Sequence, residues 1–328
     1  MLDIDLYTSR QAEVFRLASE VIRENSTSLE LENLLMFFLN GKQKEFSEDY
    51  VLSVSIPYGI YTSIKGSNDN AGYLAVSCLL LYLSADIIDD IADGDFVRFW
   101  GESVSPSEGV LASLTLSSSI APLALDWLKI DAQLLSSIKS SLSKFIIKCS
   151  AGQLGDLAIK NKLESTSAED IISILQGKSG YQIAGMCSIS AQLAGLDESL
   201  QSEYSSIGCL IGTTCEIIQE CHELYNANEG RDLVNQKPTL PLAFHFEKLS
   251  ADDQIEFLKL LDQARSDEAA RVKVRKLVSE SGALKQVYDF VKKSRISVLT
   301  RLQKLPQSDN SSTNELSLLI NELLTFDA

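Results

Sequence analysis

The sequence predicts an all-α fold, a single domain over residues 1–328 with about ten or more helices packed around a central space. Three observations lead there. Apolar residues recur at steps of three and four along most of the chain, the period of an amphipathic helix. Only six prolines interrupt the 328 residues, and a proline inside a helix costs about 3 kcal/mol. Alternating apolar and polar runs, the mark of a half-buried strand, are scarce. Hydrophobic residues at 45% and charged residues at 23% fit a globular chain rather than a disordered one. No repeat is evident, and no segment reads as a flexible linker.

Taken in order, Val51 to Ile56 (VLSVSI) is the best strand candidate, but the helical period continues through Tyr61. Gly66 to Asn70 breaks the chain before an apolar run, Ala71 to Ala85. In that next helix Leu79, Tyr82, Leu83, Asp86, Asp90 and Asp93 keep helical spacing. Gly101 to Gly109, with Pro106, separates the following pair. Glu164 to Glu169 (ESTSAE) reads as a loop and N-cap before a helix carrying Ile171, Ile174 and Leu175. Asn226 to Pro241 is a long polar loop. Pro306 to Thr313 precedes a last helix with Leu316, Leu319, Ile320 and Leu323 on one stripe.

Composition bounds the function. With 29 Lys and Arg against 45 Asp and Glu, the net charge is −16. Such a surface repels nucleic acid and carries no polybasic membrane patch. The Ala71–Ala85 run is shorter than the roughly 20 residues a membrane span needs, so no transmembrane segment is expected. The first ten residues hold acidic side chains where a secretory signal needs basic ones. The six cysteines form no CxxC pair and are expected as reduced thiols of a cytoplasmic protein. Cys209, Cys215 and Cys221 are expected at buried helix positions.

The most informative stretch is Ala85 to Gly101, ADIIDDIADGDFVRFWG. On a helix Asp86, Asp89, Asp90 and Asp93 fall on one face. Four like charges there repel one another, and the first basic residue is Arg98. Something positive must neutralise the face, and aligned carboxylates suit a hard divalent cation.

Here the chain resembles the polyprenyl diphosphate synthase family. Asp89-Asp90-Ile91-Ala92-Asp93, then Arg98 and Gly101, is similar to that family's first aspartate-rich motif. Gly152-Gln153-Leu154-Gly155-Asp156-Leu157 resembles its GQxxDL helix, and Lys178-Ser179-Gly180 its Lys-Thr-Gly segment. Gly230 to Pro241, with Lys237, resembles its GxDL…KxTLP loop. Ser281 to Leu284 and Leu305-Pro306 fit its tail. The resemblance runs in order from about residue 75 to 306. It implies an isoprenoid synthase-type helical bundle around a central cavity, a homodimer, and ionisation of an allylic prenyl diphosphate. By the same resemblance Asp89, Asp90 and Asp93 hold two or three Mg2+ ions. Arg98, Lys178 and Lys237 contact the diphosphate, and Gln153 and Asp156 belong to the substrate-binding helix. The carbocation then needs a dry, aromatic-lined cavity. Tyr181, Gln182 and Met186 are candidate lining residues, and Phe99 and Trp100 either cap the site or pack in the loop.

Four departures from the family pattern matter. The second aspartate-rich motif reads Gln219-Glu220-Cys221-His222-Glu223, and Glu216 stands one turn earlier. Glu216, Gln219, Glu220 and Glu223 are therefore the candidate ligands of a rebuilt metal site. His222-Glu223 is no zinc motif, since HExxH needs a second His and position 226 is Asn. The Gly-Gly-Lys-Arg segment that binds isopentenyl diphosphate falls near Ser47 to Ser53, where no basic residue stands. The nearest candidate, Gly41-Lys42-Gln43-Lys44, is poorly spaced. The ExxH pattern before the first motif is Leu79 and Tyr82. Phe99 replaces the second Arg. Most of the losses fall on the second-substrate site.

The expectation is an enzyme that ionises an allylic diphosphate without condensing it with isopentenyl diphosphate. Its cation is captured by cyclisation, as in a terpene synthase, or by another acceptor, as in the quorum-peptide prenylating enzymes of this family. Ordinary chain elongation and a non-catalytic partner subunit are the alternatives. Four and five positions before the motif, Ala85 and Ser84 are small, which lets the tunnel run to Tyr82 and favours a C15 or longer substrate.

Overall fold

The computed structural model describes residues 4–45, 52–67, 70–225, 231–306, 308 and 311–326. No strand occurs among them. In chain order the first helices are α1 (Ile4–Asn25), α2 (Leu29–Glu45), α3 (Leu52–Lys65), α4 (Ala71–Asp93), α5 (Phe96–Trp100), α6 (Pro106–Thr115) and α7 (Ala121–Ala124). Then come α8 (Ala132–Ile159), α9 (Ala168–Leu175), α10 (Tyr181–Leu193), α11 (Glu198–Tyr225), α12 (Arg231–Val234) and α13 (Leu240–Phe246). The last are α14 (Ala251–Ala264), α15 (Glu268–Glu280), α16 (Ala283–Leu302) and α17 (Ser311–Leu323). The VLSVSI segment is thus helical from Leu52, and Pro57 sits inside α3.

Contacts group the chain into two compact units. The first comprises residues 1–144, 185–205 and 305–319. Its axis is α4, which packs against α1, α3, α6 and α7. Leu74, Leu79, Leu80, Leu83 and Ile87 are fully buried along it. The helix runs eight residues beyond the apolar stretch, through Asp93. It is therefore long and apolar enough to pass a length-and-composition test for membrane spanning, as is the segment 106–127. In α4, 61% of that window is buried inside the protein, the mark of a core helix. The helix stops at Gly94, whose φ of +81° is a left-handed conformation open to glycine. The Gly94 and Asp95 N–H groups then satisfy the Ile91 and Asp90 carbonyls at 3.3 and 2.9 Å.

The second unit comprises residues 145–184, 206–304 and 320–328. Its core joins Ile171, Leu175, Ile217, Leu224, Leu240, Val274 and Val287. Ser167 caps α9 through a reciprocal bond with Asp170, as the ESTSAE segment predicts. Between α9 and α10 the chain widens into one π-helical turn, Gln176–Gly180. Glycines set how closely its neighbours approach. A Cβ on Gly152 would lie 2.0 Å from the Gly177 carbonyl carbon, and one on Gly212 2.4 Å from the Ser179 oxygen. The π turn is therefore in direct backbone contact with α8 on one side and α11 on the other. Of the three cysteines on α11, Cys221 is buried while Cys209 and Cys215 are only half-buried, and all six are free thiols.

The two glycines of the GQLGD segment make a matched test of this packing. Gly152→Ala forces backbone apart and should destabilise by about 1–3 kcal/mol. Gly155→Ala meets only Ile174 at an ordinary 3.5 Å and should be neutral or slightly stabilising, because alanine favours helix by up to about 1 kcal/mol. Thermal melts of both variants check the contrast, which vanishes if the backbone contact is absent.

Candidate functional site

The candidate residues form two groups, one in each unit. In the first unit, α4 presents its carboxylates in two adjacent rows, Asp86 with Asp90 and Asp89 with Asp93, each pair one turn apart. All four lie in the last turns of α4, where no basic residue stands and the helix end already carries partial negative charge. Neighbours answer the first row. The Lys42 ammonium of α2 lies 2.5 Å from Asp86 Oδ2 and 3.0 Å from Glu45 Oε2. Burial alone would lower the Lys42 pKa, but these carboxylates outweigh it and raise it. Trp100 Nε1 donates to Asp90 Oδ2 at 2.8 Å. Burial still pushes Asp86 up to about 6 and Asp90 up to about 7, against the pull of Lys42 and of the Trp100 bond respectively.

Trp100 is buried and so packs within the structure, edge-on to Phe38 at 4.8 Å. Phe99 is half-exposed beside the Arg98 guanidinium, 5.7 Å from its ring centre. Ser84 is turned into the α4–α6 contact, where it exchanges hydrogen bonds with Ser113 at 2.9–3.0 Å. Ala85 is exposed, and the half-exposed Tyr82 ring lies 5.5 Å from the Lys42 ammonium. Of the Ser47–Ser53 segment, residues 47–51 lie outside the described residues, as do 226–230.

In the second unit the π turn and the α12–α13 loop bring two lysines onto one carboxylate. Lys178 Nζ donates to Asp156 Oδ2 at 3.0 Å, and Lys237 Nζ lies 3.8 Å from the same oxygen and 3.6 Å from Glu220 Oε1. The Lys237 loop is fixed by its own backbone, whose N–H bonds to the Asp232 carbonyl at 2.8 Å. Glu220 is 3% exposed and accepts the Leu240 N–H at 3.3 Å, at the first turn of α13. Ser179 donates to Glu216 at 2.8 Å. Arg231 binds Glu223 at 2.6 Å, and the exposed Gln219 donates to the same oxygen at 3.3 Å. Gln153 is half-buried on α8, and the Tyr181 ring lies 4.8 Å from the Lys148 ammonium.

The charges here do not balance. Burial pushes Glu220 up to about 8 and Asp232 up to about 7, although Lys237 opposes both shifts. Asp156 is pushed up by burial too, but Lys237 and Lys178 together hold it below the usual carboxylate range. Lys237 is raised well above the ordinary lysine value by Glu220, Asp156 and Asp232, despite its burial. One oxygen each of Asp156, Glu220 and Asp232 is buried without a hydrogen-bond partner. A buried, unsatisfied carboxylate is costly, so the group has capacity for further cations. Hard divalent ions fit it. Among the described residues no group of three or more His, Cys, Asp or Glu side chains is arranged as a ready metal site; Mg2+ in general completes its shell with waters and phosphate oxygens.

A family model described as polyprenyl synthetase matches residues 54–279. The chain belongs to the polyprenyl synthetase family. It is an enzyme of the prenyltransferase kind. Solved structures agree on the all-α isoprenoid synthase fold. Geranylgeranyl pyrophosphate synthetase of Pyrococcus horikoshii Ot3 superposes with a TM-score of 0.81 at 18% identity, over 99% of this chain and 98% of that one. Polyprenyl synthase of Caulobacter crescentus CB15, complexed with calcium and isoprenyl diphosphate, gives 0.75 at 18% identity, over 99% and 97%. Among curated proteins, tryptophan prenyltransferase ComQ of Bacillus subtilis subsp. natto is 26% identical over 234 residues, 70% of this chain and 66% of that protein's length.

Sequence motifs locate Asp89, Asp93, Lys178, Lys237 and Glu220. They do not locate Trp100, Arg231 or Asp232 as partners in these groups. Lys42 stands in the sequence as a candidate anion binder, whereas the structure gives it carboxylate partners.

Without divalent metal, the raised carboxylates set the pH response. Glu220 and Asp232 hold protons more tightly folded than unfolded, so their contribution is full below about pH 4 and lost as pH rises through 7 and 8. In EDTA the melting temperature should fall by several degrees between about pH 6 and 8.5. Millimolar Mg2+ should restore it most at the alkaline end. A flat EDTA profile would contradict these shifts.

Proposed function

We propose that this protein ionises an allylic prenyl diphosphate with Mg2+ and transfers the prenyl cation to an acceptor other than isopentenyl diphosphate. One asymmetry carries the reading. Lys178 and Lys237 converge in the second unit, where a diphosphate needs them. Lys42, one of the two lysines of the poorly spaced Gly41-Lys42-Gln43-Lys44 candidate, is 7% exposed and its ammonium is shared between Asp86 and Glu45. Lys178 and Lys237, 14% and 18% exposed, are instead two ammoniums on one Asp156 oxygen, which leaves them the better diphosphate anchors.

In this reading Asp89 and Asp93 hold Mg2+, with Asp90 beside them, and Glu216, Glu220 and Glu223 supply the second metal half. Gln219, a neutral amide, adds at most a weak ligand. Bound Mg2+ supplies Lewis acidity that stabilises charge on the leaving diphosphate. Lys178 and Lys237 bind its oxygens; the family pattern gives Arg98 a diphosphate-binding role at the first motif. Asp156 positions the two ammoniums and, being an anion itself, does not touch the diphosphate. Gln153 and Tyr181 keep the substrate-binding roles that the family pattern gives them. The acceptor is an indole, in line with the tryptophan prenyltransferase to which the chain is similar. An electron-rich ring attacks a carbocation through carbon and loses a ring proton afterwards. With Ser84 turned away toward Ser113, Ala85 and Tyr82 are left to set chain length, and a C15 or longer substrate is favoured.

A homodimer is part of the proposal. Leu111 and Leu114 on α6, and Ile147 and Leu154 on α8, are 54–68% exposed and are the apolar side chains a partner subunit would cover. Leu154→Lys should shift sedimentation toward monomer, and an unchanged dimer would remove α8 from the interface.

The direct assay incubates the protein with geranyl, farnesyl or geranylgeranyl diphosphate, Mg2+ and a tryptophan-containing peptide. Prenylated peptide from the C15 or C20 donor is the expected product. Hydrocarbons formed without peptide would indicate cyclisation instead. Longer diphosphates appearing only with isopentenyl diphosphate would restore chain elongation, and no diphosphate release at all would leave a non-catalytic partner subunit. Asp89→Ala should cut diphosphate release about a hundredfold; unchanged release would sink the metal assignment.

A further inference from the structure

Lys42 is the best-placed cation at the first acidic motif. Its side chain is 7% exposed, and its ammonium meets Asp86 Oδ2 at 2.5 Å and Glu45 Oε2 at 3.0 Å, with the Tyr82 ring 5.5 Å away. Its helix is locked to the same place by a second contact. Phe38, one turn before Lys42 on α2, packs edge-on to Trp100. Gly41 lies so close that a Cβ would be 3.0 Å from the Trp100 ring. Trp100 in turn holds Asp90 Oδ2. Helix α2 therefore supplies both partners of one carboxylate row, the ammonium directly and the indole by packing.

Resting on the metal-dependent reading above, we propose that Lys42 is a positioning residue that acts as a tethered counter-ion. It neutralises Asp86 and so keeps that carboxylate out of the coordination of divalent metal held by Asp89 and Asp93. The physical consequence runs against the usual effect of removing a buried charged residue. An ammonium beside a metal site repels the metal. Taking it away deepens the negative potential and releases Asp86 as a ligand.

The experiment measures Mn2+ affinity by electron paramagnetic resonance on the full chain at low salt, alongside melting curves. Lys42→Met should bind Mn2+ about tenfold more tightly than wild type, or gain a site. Lys42→Arg should match wild type. An unchanged or weakened affinity in folded Lys42→Met overturns the proposal.

Removing one partner of a buried pair endangers folding, so the double variant Lys42→Met/Asp86→Asn gives a second arm. It removes both charges together. Wild-type Mn2+ affinity in that variant supports a counter-ion role. A loss of affinity would mean that Asp86 itself ligates metal, and would overturn the proposal even if Lys42→Met alone does not fold. Failure of the broader reading is seen separately, as absence of diphosphate release from wild type with Mg2+, and leaves the Mn2+ comparison interpretable.

Discussion

Carboxylates at the wrong end of helices govern this protein. Asp86, Asp89, Asp90 and Asp93 lie near the end of α4, Asp156 lies in the last turn of α8, and Glu220 and Glu223 lie in the last two turns of α11. A helix C-terminus carries partial negative charge and favours cations. Here each C-terminus carries more anion instead, much of it buried. Every neighbouring feature answers that excess: Lys42 and the Trp100 N–H on α4, Lys178 and Lys237 on Asp156, Arg231 on Glu223. Even so, Glu220 and Asp232 are left with pKa values near 8 and 7. The fold tolerates this strain because the rest of each unit is well packed, α4 by the leucines of its core and the second unit by helices in glycine-to-backbone contact.

Much of this was legible from residues alone. The helical period gives the fold class, and the four-aspartate face with no interleaved base marks a stretch that needs counter-charge from elsewhere, which Lys42 supplies at Asp86. The Gly66–Asn70 break and the Ser167 cap are local signals and read correctly, because a chain break or an orphan N–H depends on nearby residues only. What depends on distant residues was not legible. Nothing in the spacing of Trp100 says that it reaches Asp90, and nothing in Gly41-Lys42 says that this lysine turns toward Asp86, forty-four positions on. The VLSVSI segment carries two signals in conflict: its β-branched residues suit a strand, but the helical period that continues through Tyr61 prevails, and the segment is helical from Leu52.

The glycines of the second unit mark another limit of motif reading. Gly152 and Gly155 look equivalent in GQLGD, yet only Gly152 meets backbone. Its role is to let α8 approach the π turn, and that approach carries the Lys178 ammonium to Asp156. A π turn adds one residue to the helical course and is often found where a side chain must be re-aimed. Here it re-aims a lysine. The motif is thus a packing device as much as a chemical one, and its chemistry depends on the absence of a single methyl group.

The same electrostatics bears on how an anionic substrate enters a chain of net charge −16. Two lysines already engaged by Asp156 offer limited attraction to a free diphosphate, and Glu220 and Asp232 repel it once the pH passes about 8 and 7 and they ionise. Divalent metal alone would meet scattered carboxylates without a complete cage. On the proposed reading the two cover each other's deficit, since phosphate oxygens complete the metal's coordination and the metal cancels the charge that would turn the phosphate away. The excess of buried acid over base then becomes a selectivity element: it disfavours anions that cannot carry metal with them. It also explains why an ordinary lysine at position 42 matters. A fixed ammonium that quiets one carboxylate row keeps the remaining acidity from capturing metal in the wrong place.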